Sequence, residues 1–197
     1  MHQCAILLPA AGASRRMRGA DKLLQEVEGR TILRLMAERA LQASARVAVT
    51  LPPDAPERAR ALDGLTVTRL MVPDATEGMA GSLRKGASWA MQLPVQALMI
   101  VLPDMPEITA DDMRKLIQLH ASHPTEPLRA CDAAQHPGHP TVLPHAMLPE
   151  LLTLSGDTGA RALLARHRPR LHPLPGRRAI LDLDTPEAWA DWRAHRP

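Results

Sequence analysis

The sequence predicts a Rossmann-like α/β fold of three layers, with helices on both faces of a mainly parallel sheet. Two observations carry this. Short apolar runs alternate with amphipathic stretches of helical period along almost the whole chain, in a β-α-β-α-β rhythm. The turns that follow those runs hold glycine, proline, aspartate and clustered cations, and such sheets bind ligands beyond the carboxyl ends of their strands. No repeat, low-complexity tract or linker divides the 197 residues, so one domain over 1–197 is expected.

In chain order, residues 3–8 read as the first strand, which stops at Pro9. Residues 23–29 read as a short extended piece with a turn. Thr31 can cap a helix to residue 43, with Leu33, Met36, Ala37 and Ala40 on one face. Residues 46–51 form a second strand bounded by Pro52 and Pro53, then a short helix over 55–62 and a third strand over 65–72. A helix is expected over 81–91 and a continuous apolar strand over 97–102. Thr109 caps a helix to residue 120, with acids in its first turn. A strand over 128–133 follows. The Pro- and His-rich residues 123–145 read largely as a long connection, a flap facing the substrate. Helices over 146–152 and 158–166, strands over 171–174 and 179–183, and a closing helix over 186–193 with Pro186 at its first position complete the chain.

Composition narrows the function. Phe and Tyr are absent and only three Trp occur, so the core is aliphatic, with ten Met as flexible filler. The same lack removes the rings that single-stranded nucleic-acid binding uses for base stacking, and no nucleic-acid partner is expected. A net charge of +3 suits anionic ligands without demanding nucleic acid. Cys4 and Cys131 make neither a CxxC nor a disulfide framework, which points to a reducing, cytoplasmic compartment. No apolar run reaches the length of a membrane span, and the chain opens without a basic flank, so neither a membrane partner nor a secretory leader is expected.

The turn after the first strand is the most informative stretch. Ala10, Ala11, Gly12 and Ala13 have little or no side chain, so a ligand can lie against the backbone, and Gly12 can take a positive φ. Exposed N–H groups in such a turn favour anions, and Arg15, Arg16, Arg18 and Lys22 add positive charge. The stretch is neither a Walker A loop nor a Gly-x-Gly-x-x-Gly fingerprint. On these residues alone, a polyphosphate cradle and a small-residue turn with a solvated basic segment both stand.

Four further stretches carry chemistry. Asp104 follows the apolar strand directly and is bracketed by Pro103 and Pro106 in Leu-Pro-Asp-Met-Pro. A lone carboxylate there suits Mg²⁺, which binds one or two carboxylates and otherwise water and phosphate oxygens, or it caps a turn. Asp182-Leu183-Asp184-Thr185-Pro186 again closes a strand and opens a helix, and Asp184 or Thr185 could equally be an N-cap. Gly78 and Gly81 let the chain pass close to a flat ligand, and Ser82 after them can bond that ligand or start a helix. Ser155-Gly156-Asp157-Thr158-Gly159-Ala160-Arg161 opens a helix whose free N–H groups and Arg161 would attract a phosphate. His136, His139 and His145 lack the spacing of a zinc site.

Leu8 to Met17 with Lys22 resembles the opening of the MobA-like nucleotidyltransferases, roughly Leu-Ala-Ala-Gly-x-Ser-x-Arg-Met-Gly…Lys. Pro9 stands where Ala is usual and Arg18 precedes the second glycine; neither change removes a phosphate-binding group. The Asp104 and Asp184 stretches resemble the family's two metal-aspartate stretches, and Gly78 to Leu83 its Gly-Met-x-x-Ser-Leu segment. Gly138-His139-Pro140-Thr141-Val142-Leu143 and the Asp157–Arg161 stretch resemble the molybdenum cofactor cytidylyltransferase branch. The resemblance implies a nucleotide-diphospho-sugar-transferase-like fold and transfer of CMP from CTP to a molybdopterin-type cofactor with release of pyrophosphate. It implies Mg²⁺ on Asp104 and Asp184, with Arg16 and Lys22 stabilising the triphosphate. Nucleotide contacts fall to Leu8, Ala10, Ala11, Gly12, Ala13, Ser14, Lys22, Gly78 and Ser82, and acceptor contacts to His139, Asp157 and Arg161. A molybdoenzyme recipient is a compatible partner. A guanylyltransferase, a sugar-phosphate nucleotidyltransferase and a non-catalytic cofactor carrier are the alternatives.

Overall fold

The computed structural model describes residues 3–73, 78–156 and 159–195. Strand β1 (Cys4–Pro9) lies inside a seven-stranded sheet. Apolar on both faces, it is the kind of strand that a doubly covered sheet buries completely. A hairpin of β2 (Glu26–Val27) and β3 (Arg30–Thr31) leads into helix α1 (Ile32–Ala43), whose first turn Thr31 caps through Arg34 N. Strand β4 (Val47–Leu51), helix α2 (Pro56–Ala61) and strand β5 (Thr68–Met71) follow. Then come α3 (Met79–Ala90), β6 (Ala97–Ile100) and α4 (Ala110–Ala121), the last opened by a capping box of Thr109 and Asp112. Strands β7 (Leu128–Cys131) and β8 (Pro137–Pro144) precede α5 (Leu148–Leu151), α6 (Gly159–His167), β9 (Arg170–Pro173) and α7 (Pro186–His195).

The sheet order is β5-β4-β1-β6-β8-β7-β9. The β4/β5, β1/β4, β1/β6 and β7/β9 ladders are parallel, while β8 runs antiparallel to both β6 and β7. The sheet is therefore mainly parallel, as expected. Alternation along each strand divides the core between the two faces. Ile6, Leu8, Val49 and Met99 pack with Leu33 and Met36 of α1, Leu116 of α4 and Trp189 of α7. Ala5, Leu7, Leu98 and Ile100 pack with Leu83 of α3, Leu148 and Leu151 of α5, and Leu163 of α6. Cys4 lies in the first cluster, and burial pushes its thiol up to about 12, so it acts as a small hydrophobe.

Two sequence expectations fail, for opposite reasons. The Pro- and His-rich residues 123–145 are not a flap, because they include β8, a strand with neighbours on both sides. Proline normally argues against such a strand. Here Pro137 and Pro144 stand at its ends, and Pro140 falls in the irregular stretch between the Arg129↔Thr141 and Cys131↔Pro137 pairs. The regular ladder to β6 runs over Thr141, Val142, Leu143 and Pro144. Conversely, residues 179–183 look like a strand and are not one. Their backbone bonds run elsewhere: His139 N donates to Ala179 O at 2.8 Å, and Leu183 N donates to Asp104 O at 3.1 Å. This strap crosses the sheet's carboxyl end and holds Asp182 and Asp184 beside Asp104. Helix α3 also starts two residues earlier than the expected 81, with Gly78 as N-cap at φ 66°.

Two glycines measure how tightly these parts meet. A Cβ on Gly138 would lie 1.7 Å from Ala179 O, a backbone atom of the strap. One on Gly86 would lie 2.2 Å from the side-chain tip of Leu7, which can shift. Gly138→Ala should therefore cost more than about 3 kcal/mol, above the usual range for overpacking. Gly86→Ala should cost about 1–2 kcal/mol, because helix propensity offsets part of the clash. Urea unfolding of both variants checks this, and equal losses would contradict the strap's role.

Candidate active site

The loop after β1 is built from backbone, and one buried arginine sets its shape. Ala10 N donates to Thr50 O and to Thr50 Oγ1, each at 3.1 Å. Arg58 of α2, only 4% exposed, donates through Nη1 to Ala10 O at 2.6 Å and Gly12 O at 2.7 Å. Its Nη2 reaches Ser14 Oγ at 3.2 Å and Asp21 Oδ1 at 2.9 Å, and its Nε reaches Asp21 Oδ2 at 2.6 Å. Burial works against the Asp21 charge, but the bonds and charge of Arg58 outweigh it and hold the carboxyl below its ordinary value. The left-handed residues of the loop are Ser14 at φ 49°, Arg18 at φ 52° and Gly19 at φ 96°, whereas Gly12 is not in that region. Its use is openness, since a Cβ there would meet nothing within 4 Å. The strain at Ser14 persists because Arg58, Asp21 and Lys22 N, at 3.4 Å from Ser14 Oγ, fix its position.

Next to this loop two carboxylates converge on one ammonium group. Lys22 Nζ lies 2.5 Å from Asp104 Oδ2 and 2.6 Å from Asp184 Oδ1. Arg16 Nη2 lies 2.5 Å from Asp184 Oδ2. Burial opposes both charges, yet Lys22 is raised by the Asp104 and Asp184 carboxylates, and Asp184 is lowered chiefly by Lys22. Asp182 goes the other way. Burial first, then the Asp184 carboxylate beside it and the charge of Asp104, raise it above the ordinary carboxylate value. Asp104 Oδ1 is buried and has no partner.

These residues fit a divalent cation. The two aspartates already hold a positive group between them, and one buried carboxylate oxygen remains unused. Among the described residues no cluster of three or more His, Cys, Asp or Glu side chains could hold a metal alone. A cation here would complete its shell with water and phosphate oxygens, as Mg²⁺ does.

A cavity of about 760 Å³ joins the loop, the carboxylates and the far side of the sheet. Gly12, Ala13, Ser14, Arg16, Lys22, Gly78, Ser82, Asp104, His139 and Asp184 line it, so most predicted site residues come together. Leu8, Ala10 and Ala11 are buried behind the lining. Ser82 accepts from Thr50 Oγ1 at 3.0 Å, which ties α3 to the loop. Asp157 and the side chains of Arg161 and Arg15 lie outside the described residues. Sequence reading gave no role to Arg58, Thr50, Arg129 or Thr141. Arg58 stands on a short polar helix and carries no motif that would have singled it out.

The family profile of the MobA-like NTP transferase domain matches residues 5–171. No curated protein matches the sequence. Among solved structures, Rv0371c from Mycobacterium tuberculosis H37Rv is 28% identical over 97% of each chain, with a TM-score of 0.77. Its complex with manganese, 24% identical over 99% of this chain and 100% of that one, has a TM-score of 0.79. A nucleotidyl transferase from Methanothermobacter shares the fold at a TM-score of 0.80 and 18% identity, covering 99% of this chain and 98% of that one. CMP:2-keto-3-deoxy-manno-octonic acid synthetase, solved with CTP, shares it at 0.74 and 16%, covering 98% of this chain and 97% of that one. The fold is thus of the nucleotide-diphospho-sugar-transferase type.

Breaking the buried pair should strand Asp21. Arg58→Met is expected to lose about 3–5 kcal/mol at neutral pH. Because Asp21 is held below 3.8, that contribution is present above this pH and fades as the pH falls through the lowered value. Thermal unfolding should show the Asp21→Asn, Arg58→Met double variant recovering part of the loss, and a double variant no more stable than the single one contradicts the pairing.

Proposed function

Since the chain belongs to the MobA-like NTP transferase family and is a nucleotidyltransferase, we propose that it transfers CMP from CTP to the terminal phosphate of a molybdopterin-type cofactor. The observation that carries the reaction class is the convergence of Asp104 and Asp184 on the Lys22 ammonium beside the small-residue loop after β1. Mg²⁺ is the ion proposed for that place. Support for CTP comes from Ala10-Ala11-Gly12, from the His139 and Arg161 stretches, and from a fold relative that carries CTP. On this reading the whole chain is one catalytic domain in the cytoplasm, and a molybdoenzyme receives the product. Among the described residues no helix is long and apolar enough to cross a membrane.

The chemistry needs no protein nucleophile. An oxygen of the acceptor phosphate attacks the α-phosphorus of CTP, a new P–O bond forms, and the bond to the β-phosphate bridging oxygen breaks, releasing pyrophosphate in line. The loop N–H groups and Arg16 orient the triphosphate, and Lys22 meets charge that grows on the leaving pyrophosphate. Asp104 and Asp184 would hold Mg²⁺, which supplies charge neutralisation on the phosphate oxygens when bound. Asp182, on the same strap two residues before Asp184, would add a further carboxylate beside the ion.

Pyrophosphate release, measured with Mg²⁺, a molybdopterin-type acceptor and each of CTP, GTP, ATP and UTP, should occur with CTP. Asp104→Asn should lower it about a thousandfold without loss of fold. Release with GTP alone would contradict the cytidylyl reading, and full activity of Asp104→Asn would contradict the site. A second expectation concerns Lys22, whose ammonium claims the same oxygens as the metal. Without nucleotide, Lys22→Met should bind Mn²⁺ about tenfold more tightly than the wild type in a calorimetric titration, yet turn over far less. Weaker Mn²⁺ binding would show that Lys22 does not compete for those carboxylates.

A further inference from the structure

The cavity has a second polar end that the nucleotide loop and the carboxylates do not use. The sheet order places β8 and β7 beyond β6, on the far side of Asp104 from the β1 loop. His139 and Thr141, two residues apart on β8, share the face that lines the cavity. Register sets Ile100 of β6 and Arg129 of β7 on either side of Thr141, and both also line the cavity. Four side chains of one sheet face therefore form a polar row ending in apolar Ile100.

Two atoms in this row are buried and have no partner: His139 Nδ1 and Thr141 Oγ1. Thr141 is only 1% exposed. A buried hydroxyl without a partner costs stability, so two such groups side by side on a cavity wall call for a ligand that satisfies them. The His139 ring bonds the Ile100 carbonyl through its other nitrogen, which leaves Nδ1 as an acceptor. Burial and then the Arg129 charge push its pKa down to about 4, so it stays neutral at physiological pH. Arg129 is anchored by a bond from its Nε to Gly138 O at 2.7 Å. Leu143, Leu151, Leu163 and Ile180 wall the same space.

We propose that His139, Thr141 and Arg129 form the acceptor subsite and read the edge of a flat, uncharged heterocycle that carries an N–H beside a carbonyl oxygen. The N–H donates to His139 Nδ1. The carbonyl oxygen accepts from Thr141 and faces the Arg129 charge, and the leucine walls cover the ring faces. The row sits across Asp104 from the loop, so a phosphate attached to that ring would point back toward the α-phosphate of a nucleotide in the loop. This assignment rests on the proposed transfer to a pterin-type acceptor and adds the residues that select it.

Free pterin, fluorescent and without phosphate, tests the subsite apart from turnover. Titrated into the wild type it should bind. Thr141→Val, of the same shape without the hydroxyl, and His139→Phe, flat without the acceptor nitrogen, should each weaken it at least about tenfold. Thr141→Ser should restore most of the binding. CTP with Mn²⁺ should bind all three variants within about twofold of the wild type, which separates this subsite from the nucleotide loop and confirms folding. No pterin binding by the wild type, or binding unchanged in Thr141→Val, would overturn the proposal. Pterin binding that depends on Thr141 without any pyrophosphate release would instead overturn the proposed reaction and leave the subsite standing.

Discussion

The ammonium of Lys22 between Asp104 and Asp184 is the contact on which the arrangement of the site depends. Three stretches distant in sequence meet there. The β1 loop brings Lys22, the end of β6 brings Asp104, and the strap over residues 179–184 brings Asp184. Two carboxylates this close repel each other unless a cation stands between them. The third carboxylate, Asp182, shows the opposite effect, because burial and the charges of Asp184 and Asp104 push it above the ordinary carboxylate value. The Lys22 ammonium thereby balances the negative charges of both carboxylates within the fold.

The supporting parts follow from the same need for fixed charge. Arg58 is buried, and it satisfies Ala10 O, Gly12 O, Ser14 and Asp21 at once. That turns the carbonyls of Ala10 and Gly12 toward the guanidinium and away from an incoming anion. The strap gives up ladder bonds and spends them on His139 N and Asp104 O, so the two halves of the cavity are braced by one segment. Gly138 marks where that segment presses on β8.

Much of this was legible in the sequence, and the rest was hidden for identifiable reasons. The first strand and β6, although β6 stops at Ile100 two residues short of the expected Leu102, and the carboxylate at Asp104 could be read because an apolar run followed by proline and aspartate places the acid just past a strand's carboxyl edge. Asp184 was legible as well, although the segment carrying it was read as a strand. Ile180, Leu181 and Leu183 are apolar because they cover the core, and that pattern does not reveal where the backbone bonds go. Strand β8 was obscured by Pro137, Pro140 and Pro144, which local rules read as breakers. Only the sheet register shows that the prolines fall at its ends and in its irregular stretch. Arg58 was invisible because its partners lie in another part of the chain and burial of a guanidinium leaves no periodic signal. Thr141 was quoted for its neighbours, and its importance depends on having no partner, which is a property of the folded cavity.

The most direct test is crystallographic. Anomalous diffraction from the protein with Mn²⁺ and CTP should place one manganese on both Asp104 and Asp184, with the Lys22 ammonium moved from the carboxylates to the phosphates. A manganese bound elsewhere, or a Lys22 still bridging the two aspartates with nucleotide in place, would contradict the account.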